Sequence, residues 1–201
     1  MKITKLLLIT VALATAISSA AKSQTLTATL VEVAPGTSVY GTVDGGYYQD
    51  WATGVLAFDK CNGFCSEPSE PLAYGDTVIY EIQDPATLAN AGIIARLIGG
   101  YLSSDMSSSQ ASAVQWAIWE VVGEKTSGAY SLYDGNVMIS TDTSIADLAD
   151  QYLLNVNTYE PADMIYYTND TYQNVVSWQV PEPASMALAG LSALLLIRRR
   201  R

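Results

Sequence analysis

The stretch Gln115-Trp116-Ala117-Ile118-Trp119 decides how the rest of the chain is read, together with Gly63-Phe64-Cys65-Ser66-Glu67 some fifty residues earlier. Gln115 lies one helical turn before Trp119 in a run whose apolar residues, Ala111, Val114, Ile118, Val121 and Val122, recur at helical spacing. That spacing puts an amide side chain on the inward face of a helix. A buried amide without partners costs about 1–3 kcal/mol, so Gln115 must either be fully hydrogen-bonded or be used chemically. Periodicity alone does not choose between the two.

Around this helix the chain divides into three parts. Residues 1–23 carry Lys2 and Lys5, an apolar run from Leu6 to Ile17 and then small residues to Ala21, the three zones of a secretory signal peptide. Residues 24–180 form one domain. Residues 181–201 begin with Pro181-Glu182-Pro183, continue through an apolar stretch from Ala184 to Ile197, predicted to be a helix, and end in Arg198, Arg199, Arg200 and Arg201. That stretch is shorter than the roughly 20 residues of a spanning helix, and its arginines would stay on the cytoplasmic side.

Within 24–180, three basic residues (Lys60, Arg96, Lys125) stand against nineteen acidic ones, a net charge of −16 compared with −10 for the whole chain. Such a domain repels nucleic acid and attracts cations. There is no histidine and there are only two cysteines, which excludes histidine-based triads and the usual zinc sites. No glycine-rich phosphate loop is present, and no paired acids stand in a glycosidase-like motif. Neither a cofactor nor a metal is expected, and the domain is read as a non-enzyme.

Alternation predicts strands over Thr25–Val33, Ser38–Val43, Trp51–Phe58 and Thr77–Ile82, with turns at Pro35-Gly36 and Asp44-Gly45-Gly46. Cys65 is placed on a loop just beyond a strand end. Asp84 and Pro85 are read as the start of a helix ending at about Gly99-Gly100 or just after, and Ser108 or Ser109 as the cap of the Gln115 helix, which Gly123 ends. A strand over Asn136–Ser140, a third helix over Asp142–Leu154, and a hairpin of Met164–Thr168 with Tyr172–Val180 are expected to complete the domain. The expected class is α+β: a β-sandwich or barrel-like scaffold with an inserted helical subdomain, flanked by the signal peptide and the C-terminal apolar helix.

Two resemblances sharpen this reading. Phe64-Cys65 and Gln115-Trp116-Ala117-Ile118-Trp119 resemble the paired motifs of the Cys-Gln thioester domains of bacterial surface proteins, over roughly Asp44 to Val122. That resemblance implies a thioester between Cys65 and Gln115, with Phe64, Glu67 and Trp119 in support, and covalent capture of an amine- or hydroxyl-bearing partner in adhesion or matrix assembly. Ser66 departs from the aliphatic residue usual after the family cysteine, and Cys61 is an extra thiol. The alternative is a Cys61–Cys65 disulfide in a non-covalent structural or polysaccharide-binding protein.

The C-terminal segment resembles the PEP-CTERM sorting signal. It implies recognition and tail removal by an exosortase, a transient stage at the inner membrane through the C-terminal helix, and final residence at the cell surface or in the polysaccharide matrix of a Gram-negative biofilm.

Overall fold

The computed structural model describes residues 24–102, 105–124 and 129–178. The predicted signal peptide, the apolar C-terminal helix and the sorting residues Pro181, Glu182, Pro183 and Arg198–Arg201 lie outside them.

Seven antiparallel strands form one sheet in the order β2-β3-β7-β6-β4-β1-β5, and a further pairing of β1 with β2 brings the ladder back on itself. The strands are β1 (Thr25–Thr42), β2 (Gln49–Phe58), β3 (Asn62–Cys65), β4 (Thr77–Gln83), β5 (Met138–Ile139), β6 (Met164–Thr168) and β7 (Val175–Trp178). Among the described residues three α-helices, α1 (Ala91–Leu102), α2 (Ser108–Gly123) and α3 (Thr143–Leu154), lie between β4 and β6 in the chain. Among the described residues no helix is long and apolar enough to cross a membrane.

Strand β1 corrects the expected turn at Pro35-Gly36. It runs unbroken through those residues, pairing with β4 over Thr25–Thr29 and with β2 from Leu30 to Gly41. Register shifts at Leu30/Glu32 and Val33/Gly36 absorb the local irregularity as bulges. The predicted Asp84 helix is a single 3-10 turn, Pro85–Thr87, whose first N–H groups Asp84 caps at 2.9 Å. Asn90, at φ 57°, separates this turn from α1 and donates its side-chain amide to the Val121 carbonyl in the last turn of α2 at 3.0 Å. Gly99 and Gly100 lie inside α1; the chain of Glu160 passes so close to Gly99 that a side chain there has no room.

Helix α2 begins one or two residues earlier than expected. Ser107 caps it in a reciprocal box with Gln110: the Gln110 N–H donates to Ser107 Oγ at 3.4 Å, and the Ser107 N–H to Gln110 Oε1 at 2.9 Å. Every residue from Ala111 to Val121 is buried. The helix is therefore the centre of the core, between β1, β2 and β3 on one side and α1 and α3 on the other, where an inserted subdomain with a single inward stripe was expected.

The same full burial traps Glu120, 1% exposed, whose Oε1 accepts the Ser131 N–H at 2.9 Å while Oε2 has no partner. Glu124 accepts the Asn136 N–H at 3.2 Å and Asp150 the Leu132 N–H at 2.8 Å, so carboxylates from α2 and α3 pin the loop leading to β5. Asp147 of α3 accepts the Tyr133 hydroxyl at 2.6 Å beside them. Burial, then the charges of Glu124 and Asp150, push the Glu120 carboxyl from its ordinary 4.5 up to about 7, against the pull of the Ser131 N–H. Because the folded state then holds a proton the unfolded chain has released, stability should be greatest below pH 4.5 as far as this group is concerned, and fall as pH rises to about 7. Asp150, also raised by burial, acts in the same direction. Calorimetric melting between pH 5 and 8 should show the decline, and Glu120→Gln should flatten most of it; an unchanged slope in that variant would mean Glu120 is not the group responsible.

Candidate functional site

Strand β3 is four residues long, and Cys65 is its last residue, not a loop residue as expected. On one side β3 pairs with β7, Cys65 lying opposite Val175, and the Ser66 N–H continues that ladder to the Asn174 carbonyl at 2.9 Å. Main-chain groups alternate along a strand, so the N–H and C=O of Cys65 face the other way, towards β2. There the pairing has already ended, at Gly63 opposite Leu56.

The Gln115 carboxamide fills the gap. Its Oε1 accepts the Cys65 N–H at 2.9 Å and its Nε2 donates to the Cys65 carbonyl at 2.7 Å. The side chain thus takes the place of a strand backbone, from the middle of a buried helix. Cys65 is 2% and Gln115 1% exposed, so neither group has water as an alternative partner.

The other expected site residues fall at different distances from this pair. Trp119, one turn along α2, lies beside the Cys65 thiol, and its ring meets Trp51 edge-on at 5.5 Å and Trp116 at 5.2 Å between centroids. Glu67 reaches the thiol through its backbone N–H, while its carboxylate accepts the Asn174 side-chain amide. Phe64 packs on Tyr101 at 5.1 Å and Trp178 at 5.7 Å, a structural role in holding β3 against α1 and β7. Burial pushes the Cys65 thiol up to about 12; the Trp119 and Glu67 N–H groups oppose that shift and the Glu67 charge adds to it. The sulfur is therefore a protonated thiol at neutral pH.

Tyr80 and Trp51 belong to the surroundings although no motif marks them. The Tyr80 hydroxyl is buried without a partner, within electrostatic reach of both cysteines, and Trp51 anchors Trp119 while donating its own Nε1–H to the Gly41 carbonyl at 3.2 Å. Both side chains arrive from strands distant in sequence, β4 and β2, which is why local spacing gives no sign of them. Outside the site, a surface groove of about 500 Å³ between Trp51 and the Pro68–Ala73 loop brings solvent next to the residue that holds Trp119.

The disulfide alternative is corrected. Both cysteines are free, and the extended strand between them sets their Cα atoms roughly 13 Å apart, well beyond the reach of about 7 Å that a disulfide allows. Cys61 is half-buried, with its thiol pushed up to about 11 by burial and by Asp59. Among the described residues no group of three or more Cys, Asp or Glu side chains is placed to hold a metal ion.

Chemically, the pair brings together two parts of an acyl-transfer site: a carboxamide bound to the backbone of a cysteine, and a main-chain donor on its carbonyl oxygen, where negative charge would develop during attack. Residues 179–201 match the family model for the PEP-CTERM protein-sorting motif. The match marks the chain as an exported, exosortase-sorted protein bound for the cell surface or matrix, and it covers the Pro181-Glu182-Pro183 and arginine residues singled out in the sequence. It begins after the last described residue, Trp178, so it speaks to the route of the protein and not to the Cys65–Gln115 pair. No curated protein and no solved structure matches the chain.

Proposed function

We propose that the mature domain is an exported, single-turnover acylating protein that forms an internal Cys65–Gln115 thioester and uses it to attach covalently to a surface or matrix partner. The observation that carries this reading is the reciprocal pair of hydrogen bonds between the Gln115 carboxamide and the Cys65 backbone, made where both residues are buried. In the first step Cys65 Sγ attacks Gln115 Cδ, the Cys65 N–H stabilises the oxyanion, the thiol proton passes to Nε2, and ammonia leaves. In the second, a partner amine or hydroxyl attacks Cδ, the sulfur departs as thiolate, and the attacking group's proton passes to solvent or to that sulfur. The protein is consumed, so it is not a catalyst.

An exposed lysine with pKa near 10.4 is neutral in only about 0.04% of molecules at pH 7. Docking must therefore supply proximity, and a domain with a net charge of −16 would gather cationic partners before reaction. The apolar C-terminal segment would hold the precursor transiently at the inner membrane until exosortase removes it, leaving the domain to act in adhesion or matrix assembly.

Intact mass tests the reading. The mature protein should be lighter than its encoded sequence by one ammonia. Cys65→Ala and Gln115→Ala should each restore the full mass, and Cys61→Ala should keep the deficit. A wild-type protein of full mass, or a deficit that survives Gln115→Ala, would defeat the proposal.

A further inference from the structure

Five buried side-chain polar atoms among the described residues lack a hydrogen-bond partner, and one of them, Trp119 Nε1, sits beside the reacting sulfur. Trp119 is 3% exposed, so water does not satisfy its N–H. Leaving such a donor unpaired is unfavourable, and the neutral thiol offers it only a weak acceptor. Its direction is held from two sides, by the edge-on contacts with Trp51 and Trp116. Trp116 Nε1 is equally unpartnered, so an orphaned indole alone marks nothing; what distinguishes Trp119 is its place at Cys65. The backbone N–H of Glu67 converges on the same sulfur.

We propose that the Trp119 indole N–H and the Glu67 backbone N–H form a thiolate hole, a pair of donors that meet full acceptor strength only when the Cys65 sulfur leaves the Gln115 acyl carbon. The inference rests on the thioester reading above. In the opening step the amine nitrogen bonds to Cδ, the Cδ–Sγ bond breaks, its electron pair goes to sulfur, and the amine proton ends on solvent or on that sulfur. Two fixed donors at the leaving atom favour the transition state over the closed thioester, where the sulfur carries little charge. A buried sulfur would otherwise be a poor leaving group, since burial opposes its charge. Trp119 is thus a leaving-group donor as well as a shield.

The test uses the mature protein in its ammonia-deficient form, opened with methylamine. Trp119→Phe removes the N–H while retaining an aromatic ring. It should still form the thioester, open at least tenfold more slowly, and release a Cys65 thiol whose pKa, read from the pH dependence of iodoacetamide alkylation in Cys61→Ala background, is about one unit higher, the equivalent of that tenfold change. If Trp119→Phe fails to fold, benzothienylalanine at position 119, which replaces N–H by sulfur in an isosteric ring, gives the same comparison. An unchanged opening rate and unchanged thiol pKa, with the ammonia deficit intact, would reduce Trp119 to packing and overturn the thiolate hole alone. Absence of the deficit in the wild type would overturn the thioester reading and this inference with it.

Discussion

Relative to the unreacted domain, in which no thioester has formed, Gln115→Ala is expected to cost about 3–5 kcal/mol, because the substitution strands two buried main-chain groups of Cys65 at about 1–3 kcal/mol each and leaves a small cavity. For a domain of this size the melting temperature should fall by about 10 °C. Forming the thioester removes Nε2, and with it the bond to the Cys65 carbonyl, but brings a contribution of its own. It would staple a loop spanning 50 residues, and the loop-entropy model for disulfides puts such a closure at roughly 4 kcal/mol.

The two contributions separate by comparison with Cys65→Ala. That variant loses the covalent bond but keeps the main-chain groups to which Gln115 binds, so it should melt well above Gln115→Ala. Thermal denaturation of both variants and of the wild type, with mass confirming the state of the bond, makes the measurement. Coincident melting of the two variants would mean that the carboxamide bonds contribute nothing beyond the staple.

This comparison also shows where the sequence was sufficient. That Cys65 and Gln115 lie side by side was legible only through the resemblance carried by Phe64-Cys65 and Gln115-Trp116-Ala117-Ile118-Trp119, and the serines before α2 located its start to within one or two residues. What helical spacing could not convey is that α2 is buried on every face. An inward stripe is visible in one chain segment, but burial of Ala113, Trp116 and Glu120 depends on α1 and α3 arriving on the far side.

Strand β3 was illegible for a similar reason. Four residues including a glycine carry no periodicity, and its strand character comes from β7, whose paired residues lie more than 100 positions away. Pro35-Gly36 is the converse case. It is a strong local turn signal, overridden because β1 has β4 to pair with before the dipeptide and β2 to pair with across it. At Asp84-Pro85 the local signal was correct about the start of a helical segment, but the single helix read from it is two pieces, parted before α1 where Asn90 takes a left-handed backbone and bonds to α2.

Gly41→Ala should be nearly as damaging as loss of Gln115, although it touches neither reacting residue. Gly41 sits in β1 opposite Gln49 of β2 and Ile139 of β5. A Cβ there would lie 2.3 Å from the Met138 carbonyl oxygen and 2.5 Å from Trp116 Cη2. Neither neighbour yields easily: one is backbone of the paired strand, the other the far edge of a fully buried indole on α2. Forcing them apart is an overpacking cost of about 3 kcal/mol, and its direction matters. Trp116 pushed away from β1 moves against Trp119, while strain at Gly41 disturbs the carbonyl that accepts Trp51 Nε1–H. Both shifts converge on the ring beside the Cys65 sulfur, so the variant should lose melting temperature and also form less of the ammonia-deficient species. Trp116→Phe in the same background removes the indole edge and should recover part of both losses, leaving the clash with Met138. A wild-type melting temperature in Gly41→Ala would mean that β1 and α2 can separate there at no cost, and that the tryptophan cluster does not transmit the position of β1 to the site.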